Sequence, residues 1–351
     1  MKIQRSKVGI CSDIHLGLHQ ASPMWHNIAI DFAHWFKDEM LSRGVKDIII
    51  PGDVLHDRNE IPVPTLHYLP QFFEILKPFN IIITVGNHDC YYNNRSDVHS
   101  LLSLQGWDNI TIIDQLTTFV AYDKNIAFCP WHTAVSDIPE SDIIFGHFDI
   151  QTFKMAGTRI CDHGVNSQDL LKKAPLIITG HYHATQHRKY EHGEILYTGS
   201  PYEHNWGEAN TPKGVYTLDL KNSELEFIEN VISPKHKRIR LSELVNVGRL
   251  TKGIKKEFEH NIIKFVIDID TPQAQTDALI SKFSSLAPLE FTVEYENAPI
   301  YTIDEIKLEG LGVNVQDNIV QFVKTLEIDN KHDICEYLLN IYKRAEGLIK
   351  T

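Results

Sequence analysis

The sequence predicts an α/β fold: a two-layered β-sandwich core flanked by helices, then a small α/β capping domain and a C-terminal helix. Three observations predict it. Over the first third, apolar strands alternate with stretches of helical periodicity, which implies βαβ units and a mostly parallel sheet. From Asn109 onward the strands crowd together with few long helices between them, enough for a second sheet. After "ISPKHKRIRLSEL" the composition shifts and a smaller strand–helix–strand pattern begins.

The elements follow in order. "KVGICSDIH" reads as a strand, and "WHNIAIDFAHWFKDEMLSRG" as a helix with a Gly stop. "VKDIIIPGDV" is a strand, "PTLHYLPQFFEILKPFN" a helix and "IIITVGNHD" a strand. Short strands come next: "NITIID", "TTFVAY", "KNIAFCPW", "SDIIFGHF", "PLIITGHYH", "EILYTGSP", "KGVYTLDL" and "ELEFIENV". "IIKFVIDID", "TDALISKFSSL" and "LEFTVEYE" form the capping αβ unit. In the tail, Ile334, Tyr337, Leu338, Ile341, Ala345 and Leu348 share one helical face. The expected domains are 1–235, 236–300 and 301–351.

Composition narrows the class. No apolar run among the 351 residues is long enough to span a membrane, and the N-terminus has no signal-peptide core. Cys11, Cys90, Cys129, Cys161 and Cys335 are scattered without a CxxC pair, which argues against a disulfide framework and for a reducing, cytoplasmic setting. A formal charge of −12 excludes a surface coated in basic residues for nucleic acid. It does not exclude a nucleic-acid enzyme, because metal-holding carboxylates enter the sum and their cations do not.

The chemistry sits at strand ends. Five apolar strands finish in Asp13-Ile-His15, Gly52-Asp53, Gly86-Asn87-His88-Asp89, Gly146-His147 and Gly180-His181-Tyr-His183. Alternation along an extended chain would aim Asp13 with His15, and His181 with His183, at one point. Each piece alone is commonplace, and a lone Gly-His is more often structural than ligating. Five such endings in one chain point to a metal cluster. Carboxylate, imidazole and amide oxygen suit Mn, Zn or Fe. Seven candidate ligands (Asp13, His15, Asp53, Asn87, His147, His181 and His183) exceed one ion's needs and suit two, with Asp53 the natural bridge.

With D-x-H, GD, GNH, GH and GHxH in this order, roughly the first 220 residues resemble the calcineurin-like metallophosphoesterases. The resemblance implies a four-layer α/β/β/α catalytic domain. It implies one ion on Asp13, His15, Asp53 and His183 and another on Asp53, Asn87, His147 and His181, most plausibly Mn2+. His88 would be catalytic rather than a ligand. His56, three residues after Asp53, and the GNHD spelling look like the branch of SbcD-type double-strand-break repair nuclease subunits. "LYTGSPYEHNWGEANTPKGVYTLDL" is similar to that branch too. The implied activity is a Mn-dependent DNA exonuclease/endonuclease in DNA end processing and recombination. The implied partners are DNA, an SbcC-like coiled-coil ATPase and a second copy of the chain, in the cytoplasm, or the host cytoplasm for a phage source.

Several assignments stay open at this point. His56 either positions His88 or contacts phosphate, or has no chemical role. Lys235, Lys237, Arg238 and Arg240 either meet phosphates or form a solvated linker. Arg95, Arg159 and Arg188 could line a groove. The Leu66–Leu76 helix, with Phe72 and Phe73, either pairs two copies or faces the sheet. The tail helix either engages the ATPase or packs on the cap. The rival readings are a small-molecule or cyclic-nucleotide phosphodiesterase and a scaffold that has lost turnover.

Overall fold

A computed structural model describes residues 3–155, 157, 159–245, 251–296, 315–325 and 330–349. The chain divides into two units, Met1–Asn297 and Ala298–Thr351.

β1 (Lys7–Ile10) leads through a single turn, α1 (Leu18–Ala21), into α2 (Pro23–Ser42). Pro23 opens α2, where a missing N–H is no loss and φ is preset. β2 (Asp47–Ile50), α3 (Val63–Ile75), β3 (Asn80–Thr84) and β4 (Ile110–Ile113) follow, and β1 to β4 run parallel side by side. Ile48, Ile50, Ile81 and Ile83 share a core with Phe32 and Phe36 of α2 and Phe72 and Phe73 of α3. Ile49 and Ile82 join a different core with Phe128, Phe145 and Ile178. Strands buried on both faces read as unbroken apolar runs, which is why "DIII" and "IIIT" show no polar alternation.

The second sheet holds β5 (Thr117–Ala121), β6 (Lys124–Cys129), β7 (Ile143–His147), β8 (Leu176–Gly180), β9 (Gln186–Tyr190) and β10 (Gly193–Tyr197), in the order β5-β6-β7-β8-β10-β9. Its outer face is covered by α4 (Ser167–Leu171) together with Phe148, Ile150 and Phe153. β11 (Gly214–Asp219) and β12 (Glu224–Glu229) then return to the first sheet, β11 pairing antiparallel with β1. The result is the expected α/β/β/α order of layers, with a thinner outer layer over the second sheet. β9, "QHRKY", was absent from the expectation because its alternation is polar on both sides.

A third sheet has its own core. β13 (His236–Arg240), β14 (Ile262–Ile267) and β15 (Glu290–Tyr295) run parallel, connected through α5 (Leu241–Val245), α6 (Lys252–Phe258) and α7 (Gln273–Ser284). Leu241, Phe258, Phe265 and Phe283 fill its centre. The basic run is therefore a strand and not a linker. Its cations are matched locally: Lys237 pairs with Glu257, Arg238 with Glu294 at 2.7 Å, and Arg240 with Glu296. That corrects the linker reading of the run. Arg95 is paired with Asp97, and Arg188 lies 4.0 Å over the Phe153 ring. Arg159 is exposed.

Phe72 and Phe73 are fully buried, so that side of the Leu66–Leu76 helix faces the sheet. In the second unit, α8 (Val315–Thr325) and α9 (Lys331–Ile349) pack on each other. Ile334, Tyr337 and Ile341 on α9 are exposed. The side chains of Ala345 and Leu348, and the start of the expected 301–351 segment, lie outside the described residues. Among the described residues no helix is long and apolar enough to cross a membrane.

Candidate metal centre

All seven predicted ligand residues converge at one end of the two central sheets. They do not reach it by strand alternation. β1 ends at Ile10, and Asp13 and His15 follow with φ of 55° and 51°; Asp53 has φ 55° and His181 φ 99°. Four ligand-type residues thus sit in the left-handed region, at a cost of about 1–2 kcal/mol each. The expected i, i+2 alternation is therefore not what brings these residues together. Gly52 supplies the adjoining bend: φ is +101° and a Cβ there would lie 2.8 Å from Gly86 Cα.

Hydrogen bonds fix the acids. Asp13 Oδ1 accepts from the His181 N–H at 2.9 Å, and Asp53 Oδ1 accepts from the His88 N–H at 2.8 Å. The second oxygen of each carboxylate is buried with no hydrogen bond. Asp53 Oδ2 lies 3.3 Å from His147 Nε2 and 3.6 Å from His15 Nε2. Asn87 Oδ1 lies 2.8 Å from both His147 Nε2 and His181 Nδ1, while His183 Nε2 is 3.1 Å from His15 Nε2. Potential ligand atoms of Asp13, His15 and Asp53, and of Asp53, His147 and His181, fall within 4.8 Å of one another. Buried acceptors left unpaired in pairs are costly unless a cation satisfies them, so this donor set fits divalent metal.

The imidazoles are oriented from outside. His147 Nδ1 donates to the Pro51 carbonyl at 2.7 Å, leaving Nε2 facing inward. Burial opposes charge on His147, but the Asp53 carboxylate overrides it and raises its pKa to about 9. His181 Nε2 meets Asp149 Oδ1 at 2.8 Å, and the Tyr182 hydroxyl donates to the same oxygen. His183 Nδ1 donates to Glu208 Oε1 at 2.8 Å. The other Glu208 oxygen accepts from buried Lys213 at 2.6 Å. Burial works against the Glu208 charge, yet the His183 hydrogen bond and nearby cationic groups hold its pKa well below the usual carboxylate range.

The Asp89 carboxylate ties the loops together. It accepts from the N–H groups of Asp53, Val54, Leu55 and Gly86, at 2.9–3.1 Å. Burial and the nearby Asp53 charge push its pKa up to about 6. Asp89, Asp149 and Glu208 escaped the sequence reading as orienting groups. Asp89 and Asp149 each lie two residues or fewer beyond a predicted ligand, a usable signal; Glu208 carries none.

His88 Nδ1 donates to the main-chain carbonyl of His56 at 2.6 Å, and the two rings stack at 5.6 Å. His56 Nδ1 is 3.4 Å from His15 Nδ1. Position 56 therefore meets His88 through its backbone carbonyl. Burial and the neighbouring His88 lower the His56 pKa.

The profile of the calcineurin-like phosphoesterase family matches residues 6–215. Exonuclease subunit 1 of Enterobacteria phage T4 is 21% identical over 352 residues, covering 95% of this chain and 97% of that protein. Two solved structures are similar: a novel archaeal phosphodiesterase (16% identity, TM-score 0.36, 64% of this chain and 99% of that chain), and a dimetal phosphatase from Danio rerio (13% identity, TM-score 0.41, 64% and 95%).

Proposed function

The chain belongs to the calcineurin-like phosphoesterase family, and from that premise we propose that it is a Mn-dependent DNA exonuclease/endonuclease. It would act as the nuclease subunit of an SbcCD-like complex in DNA end processing and recombination. One observation carries the metal-dependent reading: Asp53 Oδ2 is buried, lacks a hydrogen bond and lies between His15 and His147. Asp13, His15, Asp53 and His183 would hold one cation, and Asp53, Asn87, His147 and His181 the other.

Divalent cations there supply charge that binds phosphodiester oxygens and makes a water acidic enough to attack near neutral pH. The protein does the rest. Pro51, Asp149 and Glu208 fix the tautomers of His147, His181 and His183, so the inward nitrogens carry lone pairs. His88 spends Nδ1–H on the His56 carbonyl, so Nε2 is the nitrogen that exchanges a proton with the leaving oxygen or stabilises the crowded phosphoryl group. His56 holds that carbonyl in place.

The similarity to a phage exonuclease subunit supports DNA as substrate, since it runs through 95% of this chain and not the catalytic region alone. We assign residues 1–235 to the nuclease domain, 236–300 to a DNA-binding cap and 301–351 to a partner-binding tail. The paired cations of β13 and the net charge of −12 favour an assembly in which an SbcC-like ATPase supplies much of the DNA affinity. The exposed face of Ile334, Tyr337 and Ile341 suits a helix-in-groove contact with it. A homodimer and a cytoplasmic location (host cytoplasm for a phage protein) complete the proposal.

The test compares Mn-dependent cleavage of linear duplex DNA with that of bis-p-nitrophenyl phosphate, with and without the ATPase. Cleavage of DNA is expected. Turnover of the small ester with no DNA cleavage under any condition would mean a small-molecule phosphodiesterase instead.

A further inference from the structure

We propose that His204 is an additional ligand of the cation on the Asp13 side, alongside His15 and His183; the inference rests on the metal-dependent reading above. His204 lies in "GSPYEHNWGE", in none of the strand-end motifs. It is 2% exposed, and neither ring nitrogen has a hydrogen-bond partner. The other inward-facing imidazoles differ. His147, His181 and His183 each place their outer nitrogen on a carbonyl or carboxylate. A buried polar group left unpaired is costly, so an imidazole with two such nitrogens needs an explanation.

The backbone on both sides of this ring is pinned. The His204 N–H donates to Glu208 Oε2 at 3.1 Å, and its carbonyl accepts from His19 Nε2 at 2.8 Å. The ring is therefore held beside its neighbours and does not drift there. Its centroid lies 4.7 Å from that of His183 and 5.2 Å from that of His15, which are themselves 4.9 Å apart. Potential ligand atoms of the three fall within 4.8 Å of one another.

That spacing suits a shared ion. With nitrogen about 2.1 Å from a metal, an imidazole centroid lies about 3.3 Å away, so two imidazoles at roughly 90–110° have centroids about 4.6–5.3 Å apart. All three measured separations fall in that interval. Glu208 links the set further, since one carboxylate bonds both His183 Nδ1 and the His204 N–H. The Asp13-side ion would then carry three imidazoles and two carboxylates, a more nitrogen-rich set than the Asn87 side.

The test uses the full chain and Mn2+ alone. Crystals soaked in Mn2+ and measured at the manganese edge should place one peak about 2.2 Å from a His204 nitrogen. In equilibrium titration, His204→Ala and His204→Gln should each weaken one of two sites by about tenfold or more and leave the other within about twofold. A peak more than about 3 Å from both nitrogens, with water between, overturns the inference. So does wild-type affinity at both sites in both variants. A wild-type protein that binds no ion would defeat the metal-dependent reading itself, whereas two ions bound without His204 would defeat this inference alone.

Discussion

Consider Glu208→Gln. Glu208 is the only carboxylate among the described residues that bonds His183 Nδ1, and it also faces Lys213, whose side chain is 5% exposed. An amide offers one acceptor and one donor where the carboxylate offers two acceptors. If its oxygen serves the Lys213 ammonium, its NH2 faces His183 Nδ1. The proton of His183 must then move to Nε2, the nitrogen aimed at His15 and the centre. A ligand in the wrong tautomer loses its lone pair, so manganese affinity at that site should fall about 10–100-fold. Stability should fall too. Breaking a buried ion pair costs about 3–5 kcal/mol when nothing replaces the partner. Lys213 keeps the His183 carbonyl at 2.8 Å and Ser200 Oγ at 2.7 Å. The expected loss is therefore nearer about 2–3 kcal/mol. Manganese titration and urea unfolding of the metal-free protein measure the two effects separately. Unchanged affinity together with a stability change under about 0.5 kcal/mol would refute the tautomer reasoning.

Three further outcomes are expected. His88→Ser should lower Mn-dependent turnover of bis-p-nitrophenyl phosphate by about 10²–10⁴-fold with metal content intact, whereas His56→Ala, which keeps the carbonyl, should cost less than about tenfold; equal losses would place the role in the His56 side chain. Glu208 has a depressed folded pKa, so its stabilising contribution is fully present above the ordinary glutamate range and is lost progressively as pH falls from that range towards the lower folded value. Thermal unfolding of the metal-free protein should accordingly show the gap between wild type and Glu208→Gln narrowing from about pH 6 to pH 3. Gly52→Ala forces a Cβ to 2.8 Å from Gly86 Cα at a φ of +101°, and should destabilise by about 2–5 kcal/mol in urea unfolding.

The layered architecture was legible because its cause is local. Isoleucine-rich strands buried on both faces, separated by amphipathic helices, leave few alternatives to stacked sheets. The candidate ligands that the fold brings together were legible because polar residues ended apolar strands. What a sequence cannot display is the company a side chain keeps after folding. Glu208 reaches His183 across 25 residues, and nothing in "NWGEANT" marks it as an orienting group. The basic run of β13 read as a linker because the acids that neutralise it, Glu257, Glu294 and Glu296, come from later segments. The left-handed residues Asp13, His15 and Asp53 were invisible for another reason: none is glycine or asparagine, the usual sequence marks of that conformation.

The strand order has a bearing on when this site can come together during synthesis. β1 completes its pairing only with β11, translated some two hundred residues later. His181 and His183 arrive late as well, and the Glu208–Lys213 buttress later still. A chain still being made therefore carries most of the candidate ligands without the frame that aims them. The cluster is withheld until synthesis has run through the last strand of the first sheet.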